Sequence, residues 1–466
     1  MILWMEWMKL AVELRSACSR RRGFFWLLVA LIGFSIRSDL LGASSFMRAL
    51  GLTRVCYDRL LDFFHSNGIN PDTLAQKWTT LVLRHFPSVL RVNGRIIVVG
   101  DGIKNGKSGR KMPGVKLLHQ ESDNNTKPEY IMGHSCQAVA LIVEAENGAL
   151  AVPLAARIHE GVVFSNRCKK RLPAKMVSLV RLLGITDPYY FLGDAYYACH
   201  HVICGVTDNN GHCLSRVRIN AVACHPASTP QKRGRGRPKV YGTKIKLASL
   251  FDNLKLMTEA QSPVYGESQV VIRYRCVDLL WKPAGRVIRF VAVDHPVRGR
   301  ILLMTTDLSL VAIELIRLYG LRFKIEVSFK QELRIIGAYG YHFWMMGMKK
   351  IRRCSGNQYL HCESDVYRNA VRRKVAAYHR FIQIGLIAQG LIQYLSSTFP
   401  KLVWKSFGSW LCTIRPGVPP SEMVTANALR STFPEFLMGN NNASTFTKFL
   451  LDRIDLNRSE GLRLTG

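Results

Sequence analysis

Two runs in this chain end in the same way. Arg95-Ile96-Ile97-Val98-Val99-Gly100-Asp101 and Tyr189-Tyr190-Phe191-Leu192-Gly193-Asp194 are unbroken apolar stretches stopped by Gly-Asp. A strand with one wet face alternates apolar and polar residues, whereas a run without alternation belongs to a strand covered on both faces, as in a sheet sandwiched by helices. The two runs therefore demand an α/β fold, and each delivers a carboxylate at the end of a central strand. The chain can supply the cover: it is 48% hydrophobic, with 21 Phe, 16 Tyr and 8 Trp.

The segments between the runs set their relation. A strand is expected at about 135–145, a turn at Glu146-Asn147-Gly148-Ala149 and a third strand at about 150–158, with Asn-Gly as the hairpin signal. A helix from about Lys169 to Leu183 ends at Gly184. Strand, antiparallel hairpin partners, helix, strand is the ribonuclease-H-like beginning. In that fold the first and fourth strands are neighbours, which brings Asp101 and Asp194, 93 positions apart, to within a few ångströms. Two converging carboxylates repel, and a divalent cation is their natural partner.

Flanking regions read differently. Residues 1–90 are helical in pattern, with Phe46–Leu50, the turn Gly51-Leu52-Thr53-Arg54, and Val55–Phe64 resembling a helix-turn-helix in which Thr53 caps the second helix; a plain helical hairpin is the alternative. The 13-residue apolar run Phe24–Ile36 after Arg20-Arg21-Arg22 is too short for the ~20 residues a membrane span needs, and reads as a buried helix. Residues 91–214 form the first part of the core. Residues 215–307 read as a mostly β insertion, with strands at about 268–276, 286–294 and 300–305. It carries the basic stretch 231–239, where Arg235-Gly236-Arg237-Pro238 resembles an AT-hook or serves as a loop that touches phosphates. Residues 308–395 complete the core. There a helix over Leu310–Tyr319 breaks or kinks at Gly320 and resumes over Leu321–Ile335, and Arg322, Glu326 and Lys330 share one face. Residues 396–466 are a helical tail, with helices around 404–411 and 444–456, where pairing of two protein copies could reside.

The chain has 65 Lys+Arg against 32 Asp+Glu, a formal charge of +33. On a folded surface such a field draws a polyanion, nucleic acid first and anionic membrane second. The mark of the membrane alternative, a long basic amphipathic helix, is missing from the sequence. Twelve cysteines without a Cys-x-x-Cys pair read as reduced thiols. Cys213, Cys224 and His225 are a zinc alternative at a spacing that fits no common finger.

Gly100-Asp101-Gly102, Gly193-Asp194-Ala195 and Tyr319-x-x-Arg322-x-x-x-Glu326 together resemble the DDE transposases of bacterial insertion sequences, in the cut-and-paste branch marked by Tyr-x2-Arg-x3-Glu-x6-Lys and a β insertion. The 132 positions from Asp194 to Glu326 leave room for that insertion, and the likeness spans about residues 91–395. The resemblance implies an α/β, ribonuclease-H-like catalytic core with a mostly β insertion between helical N- and C-terminal regions. It implies that Asp101, Asp194 and Glu326 are catalytic and hold two Mg²⁺ or Mn²⁺ ions for cleavage of element ends and strand transfer into target DNA. Tyr319, Arg322, Lys330 and Arg334 would hold phosphates, joined by Lys104, Lys107, Arg110 and Lys111 after the first acid and by Arg233, Arg235 and Arg237 in the insertion. His119 and His134 could approach the acids. Double-stranded DNA and a second copy of the chain are the implied partners, without a membrane, in a bacterial cytoplasm near the nucleoid. The signature Lys would fall at Leu333, and the base-stacking aromatic at Ile301, which leaves Trp281 as the aromatic to test. A structure-selective nuclease of the same fold and a catalytically inactive DNA-binding descendant are the competing readings.

Overall fold

The apolar runs do form the centre of a sheet. The computed structural model describes residues 2–40, 42–120, 128–145, 148–227, 239–264, 266–408, 415, 417–439 and 444–455. Arg233, Arg235 and Arg237, and the Glu146-Asn147 turn, lie outside the described residues.

Five helices come first: α1 (Ile2–Glu13), α2 (Arg21–Ile36), α3 (Ser44–Leu50), α4 (Val55–His65) and α5 (Pro71–His85). Helix α2 is buried from Trp26 to Ile36. Among the described residues no helix is long and apolar enough to cross a membrane. Thr53 does not cap α4. The residue before the helix is Arg54, in helical conformation without a side-chain cap, and the Thr53 hydroxyl faces Cys56 Sγ at 3.4 Å.

The sheet starts with β1 (Arg95–Gly106), β2 (Tyr130–Ala145) and β3 (Gly148–Ile158), continues after α6 (Leu172–Leu182) with β4 (Tyr189–Gly193), and after α7 (His200–Thr207) with β5 (Gly211–Arg216). Their spatial order is β3-β2-β1-β4-β5. Strands β1, β4 and β5 are parallel, and β2 runs antiparallel to β1 and β3. Ile96–Val99 and Tyr189–Leu192 are fully buried, as unbroken apolar runs require. Strand β1 does not stop at Asp101 as the Gly-Asp pattern predicts. It continues to Gly106 because β2 is long enough to pair with it that far, through Gly106↔Gly133.

The strands of the segment expected as an insertion extend this same sheet. They are β6 (Val222–Pro226), β7 (Val271–Trp281), β8 (Arg286–His295) and β9 (Gly299–Thr305), in the order β5-β9-β8-β7-β6, each antiparallel to its neighbour. Backbone pairing of β9 with β5 at Thr305↔Leu214 is the joint.

The chain then forms α8 (Ala312–Leu321) and α9 (Phe323–Gln331), a π-helical turn over Glu332–Ile336, and α10 (Asp365–Thr398), followed by α11 (Pro400–Phe407), α12 (Glu422–Met438) and α13 (Thr445–Leu451). The break between α8 and α9 falls at Arg322 rather than Gly320, and Arg322 itself keeps helical angles, so the two helices run almost as one. The 34-residue α10 is the spine of the molecule and packs on β3, α2, α4, α5 and α12. It comes so close to α5 that a Cβ on Gly390 would lie 2.2 Å from the Trp78 ring. Its second half, Phe381–Ser396, is buried on all sides, so it has no polar stripe by which periodicity could reveal it. In the tail, α11 (400–407) overlaps only the first half of the helix expected around 404–411, α13 (445–451) covers the first part of the one expected around 444–456, and residues 409–411 and 456 lie outside the described residues, while α12, with Pro434 inside it, has no counterpart among the expected helices.

Candidate active site

Parallel pairing of β1 with β4 ends at Val99↔Leu192, so Gly100-Asp101 and Gly193-Asp194 follow side by side from adjacent strands. Gly100 allows the approach: a Cβ there would sit 2.6 Å from the Phe191 ring. Asp101 is mostly buried, accepts the Gly102 N–H at 2.7 Å through Oδ1, and takes Nη1 of Arg322 at 2.8 Å on Oδ2. Nη2 of the same guanidinium donates to Glu326 Oε1 at 2.5 Å. Arg322 thus bridges an acid of the sheet and an acid one helical turn further along α9, an i, i+4 relation that the sequence pattern gives directly. Asp194 accepts the Tyr196 N–H at 3.1 Å.

The charges feel one another. Burial pushes the Asp101 carboxyl up to about 6; Arg322 and the Gly102 N–H pull against this, while Asp194 and Glu326 add repulsion. Burial would lower the Arg322 pKa, yet Asp101, Tyr319 and Glu326 raise it on balance. Burial also raises Tyr319, against the pull of Arg322 and Arg216.

Two clefts of about 520 Å³ each meet at Asp194. One is lined by Tyr319 and Arg322 together with Arg216, Arg218 and Arg300. The other holds Asp101, Lys104, Lys116, His119, Gln137 and Tyr197. The sequence reading missed Arg216, Arg218 and Arg300. Arg216-Val217-Arg218, alternating cations directly after a parallel strand, is the signal that could have found two of them.

Other expected site residues are dispersed. Lys104 is exposed, with Nζ on the His119 carbonyl at 2.6 Å. Lys107 is not on a DNA-facing surface. It is buried over the Tyr341 ring, and its ammonium donates to the carbonyls of Tyr339 (2.5 Å) and Tyr341 (3.0 Å), a structural role that burial of a cation enforces. Arg110 and Lys111 donate to the carbonyls of Ile351 and Met346. Lys330 and Arg334 are exposed, as is Leu333. The π-helical turn after Gln331 is wider than an α turn, so the register linking Glu326 to Lys330 does not extend to 333 and 334. Trp281 is a core residue, edge-on to Phe290 at 5.9 Å, which removes it as a stacking aromatic. Ile301 lines an apolar cleft of about 550 Å³ beside Tyr319 and Arg322. His134 is buried between the Tyr341 hydroxyl (2.7 Å) and the Pro113 carbonyl (2.9 Å), and His119 lies 3.5 Å from Glu129.

Three carboxylates are hard oxygen donors of the kind Mg²⁺ and Mn²⁺ prefer, so the donor chemistry at the acids fits such an ion. Their arrangement gives Asp101 and Glu326 the Arg322 guanidinium as counter-charge. Among the described residues no three His, Cys, Asp or Glu side chains converge into one metal-holding group, at the acids or around Cys213, Cys224 and His225.

No family profile and no curated protein matches the sequence. Among solved structures, the chain is similar to a piggyBac transposase in its synaptic complex with hairpin DNA, at 11% identity and a TM-score of 0.35, over 92% of this chain and 74% of that one. It is also similar to the NurA nuclease from Sulfolobus solfataricus, at 13% identity and a TM-score of 0.22, over 60% and 92%. Both likenesses are remote.

Proposed function

We propose that this chain is a DNA transposase with a ribonuclease-H-like core, cutting element ends and joining them to target DNA. One observation carries the reading: Asp101 and Asp194 follow adjacent parallel strands, and Glu326, 132 residues beyond Asp194, is tied to Asp101 through Arg322. The strand order third, second, first, fourth, fifth, with the second antiparallel to the rest, supports the core assignment.

With the Arg322 guanidinium released from Asp101 and Glu326, and the three acids drawn closer together than they lie in this structure, Asp101, Asp194 and Glu326 would hold two Mg²⁺ or Mn²⁺ ions, which when bound supply positive charge to the attacking and leaving oxygens of the phosphodiester. The chain's own groups do the positioning. Arg322 holds Asp101 and Glu326 with its two Nη groups and lines the cleft beside Tyr319, where a bound phosphate would take over part of that fork. Arg216, Arg218 and Arg300 line the wall along which a strand would enter, and Lys330, Arg334 and Lys104 are exposed cations for phosphates further out. Hydrolysis at an element end frees a 3′-OH, which then attacks target DNA. A homodimer would bring two ends together.

The test is incubation of the protein with labelled linear DNA bearing a candidate end, with Mg²⁺, with Mn²⁺ or with chelator. Metal-dependent nicking at the end by the wild type, lost in Asp101→Asn, is expected. Binding without cleavage under every condition overturns the enzyme reading. Cutting of branched DNA regardless of end sequence assigns a structure-selective nuclease instead.

A further inference from the structure

The most exposed large hydrophobic residue on the described surface is Met346, at 89%, and two positions before it Trp344 is 68% exposed. An exposed Trp-x-Met pair costs free energy unless something covers it. These two do not sit on a loose tip. Met345 N donates to the Lys111 carbonyl at 3.0 Å, Lys111 Nζ returns to the Met346 carbonyl at 2.8 Å, and Ile351 N reaches the Arg110 carbonyl at 2.9 Å. Below the loop, Met345 and Met348 are buried with Leu360 and Val371 in a small core of their own. The backbone is therefore pinned, and alternate side chains point into that core and out into solvent.

The segments that meet at the loop are rich in cations. Residues 102–120 and 338–362 contain nine Lys and Arg and no Asp or Glu. Arg110, Lys349, Lys350, Arg352 and Arg353 are exposed, and none of them forms an ion pair among the described residues. Trp344 also shares a cleft of about 300 Å³ with Tyr57 of α4, His342 and Lys374. A rigid apolar projection beside five exposed cations without ion pairs among the described residues matches duplex DNA: cations take the phosphates, and an apolar side chain enters between base steps.

We propose that Trp344 and Met346 form a wedge that inserts between base pairs of the duplex flanking the cleavage site, with Lys349, Lys350, Arg352 and Arg353 holding the phosphates on either side. This rests on the transposase reading for which DNA is bound, and adds how it is held. Strand β1 carries the chain about 17 Å from Asp101 to Gly106 before the segment that pins the loop.

The test uses the full chain in chelator and a duplex with a candidate end, substituted with 2-aminopurine at successive positions. The wild type is expected to raise fluorescence at one step. W344A/M346A abolishes that rise and binds about tenfold more weakly, with its salt dependence unchanged. Trp344→Phe restores the signal, which a folding defect would not allow, and Lys349→Ala/Lys350→Ala lowers the salt slope instead. No unstacked step with the wild type, or the same signal from W344A/M346A, overturns the wedge. So does Trp344-dependent capture by phosphatidylserine vesicles in place of DNA unstacking. Cleavage of the same duplex in Mg²⁺ is scored separately: unstacking without cleavage leaves the wedge standing and removes the transposase reading, while cleavage without unstacking does the reverse.

Discussion

Glu332 lies six residues beyond Glu326, in the π-helical turn, and is 1% exposed. Its Oε1 takes the Ser328 hydroxyl at 3.2 Å, while Oε2, on the side of the Tyr339 hydroxyl, makes no hydrogen bond. Burial pushes this carboxyl from 4.5 up to about 7. The native state therefore holds a proton that the unfolded chain releases, and the resulting stabilisation is complete below pH 4.5 and lost as pH rises through about 7. At 1.36 kcal/mol per pH unit, the interval from 4.5 to about 7 corresponds to about 3 kcal/mol. Glu332→Gln keeps the shape and cannot ionise. Its stability relative to wild type is expected to rise by about 3 kcal/mol between pH 4.5 and pH 8.5, with most of the change below pH 7. Urea unfolding of both proteins across that range measures the difference, and every other titrating group cancels. Parallel stability curves for the two proteins would refute the argument that Glu332 is held as the acid by burial.

Lys107→Ala is expected to lose about 2 kcal/mol of stability, because the buried Tyr341 carbonyl loses its donor and the Tyr339 carbonyl keeps only Asn105 Nδ2, and to leave the salt dependence of DNA binding untouched. Arg334→Ala should do the opposite, lowering the slope of log K against log salt by about 1 with no stability change. Gly390→Ala should cost about 1–3 kcal/mol in a denaturant titration, since the Trp78 ring it strikes is fixed by its Nε1 bond to the Pro153 carbonyl at 2.9 Å and cannot step aside; an unchanged midpoint would count against the close packing. Arg322→Gln should cost about 1–3 kcal/mol, discounted because Glu326 is 41% exposed, and should abolish nicking while DNA binding falls modestly. Nicking at the wild-type rate would remove Arg322 from the site.

How far the sequence reaches depends on whether the physics involved is local. Ile96–Val99 and Tyr189–Leu192 announce buried strands because their composition leaves no face for water. The i, i+4 spacing of Arg322 and Glu326 likewise fixes their pairing wherever the helix lies. Sequence also fixes the sign and size of the charge, which favours a polyanionic partner. Tertiary structure decided the rest. Whether Lys107 faces DNA or a pair of carbonyls depends on Tyr339 and Tyr341, more than 230 residues away, and a lysine carries no local mark of its burial. The expected insertion became more of the same sheet because β9 found the free edge of β5, a pairing between backbones that side-chain pattern does not specify. Helix α10 was hidden for the opposite reason: buried on every side, its second half has no amphipathic period to read. The acids themselves lie between these cases, since the strands that carry Asp101 and Asp194 are legible in sequence, but the guanidinium that joins Asp101 to Glu326 arrives only when α9 packs across the sheet.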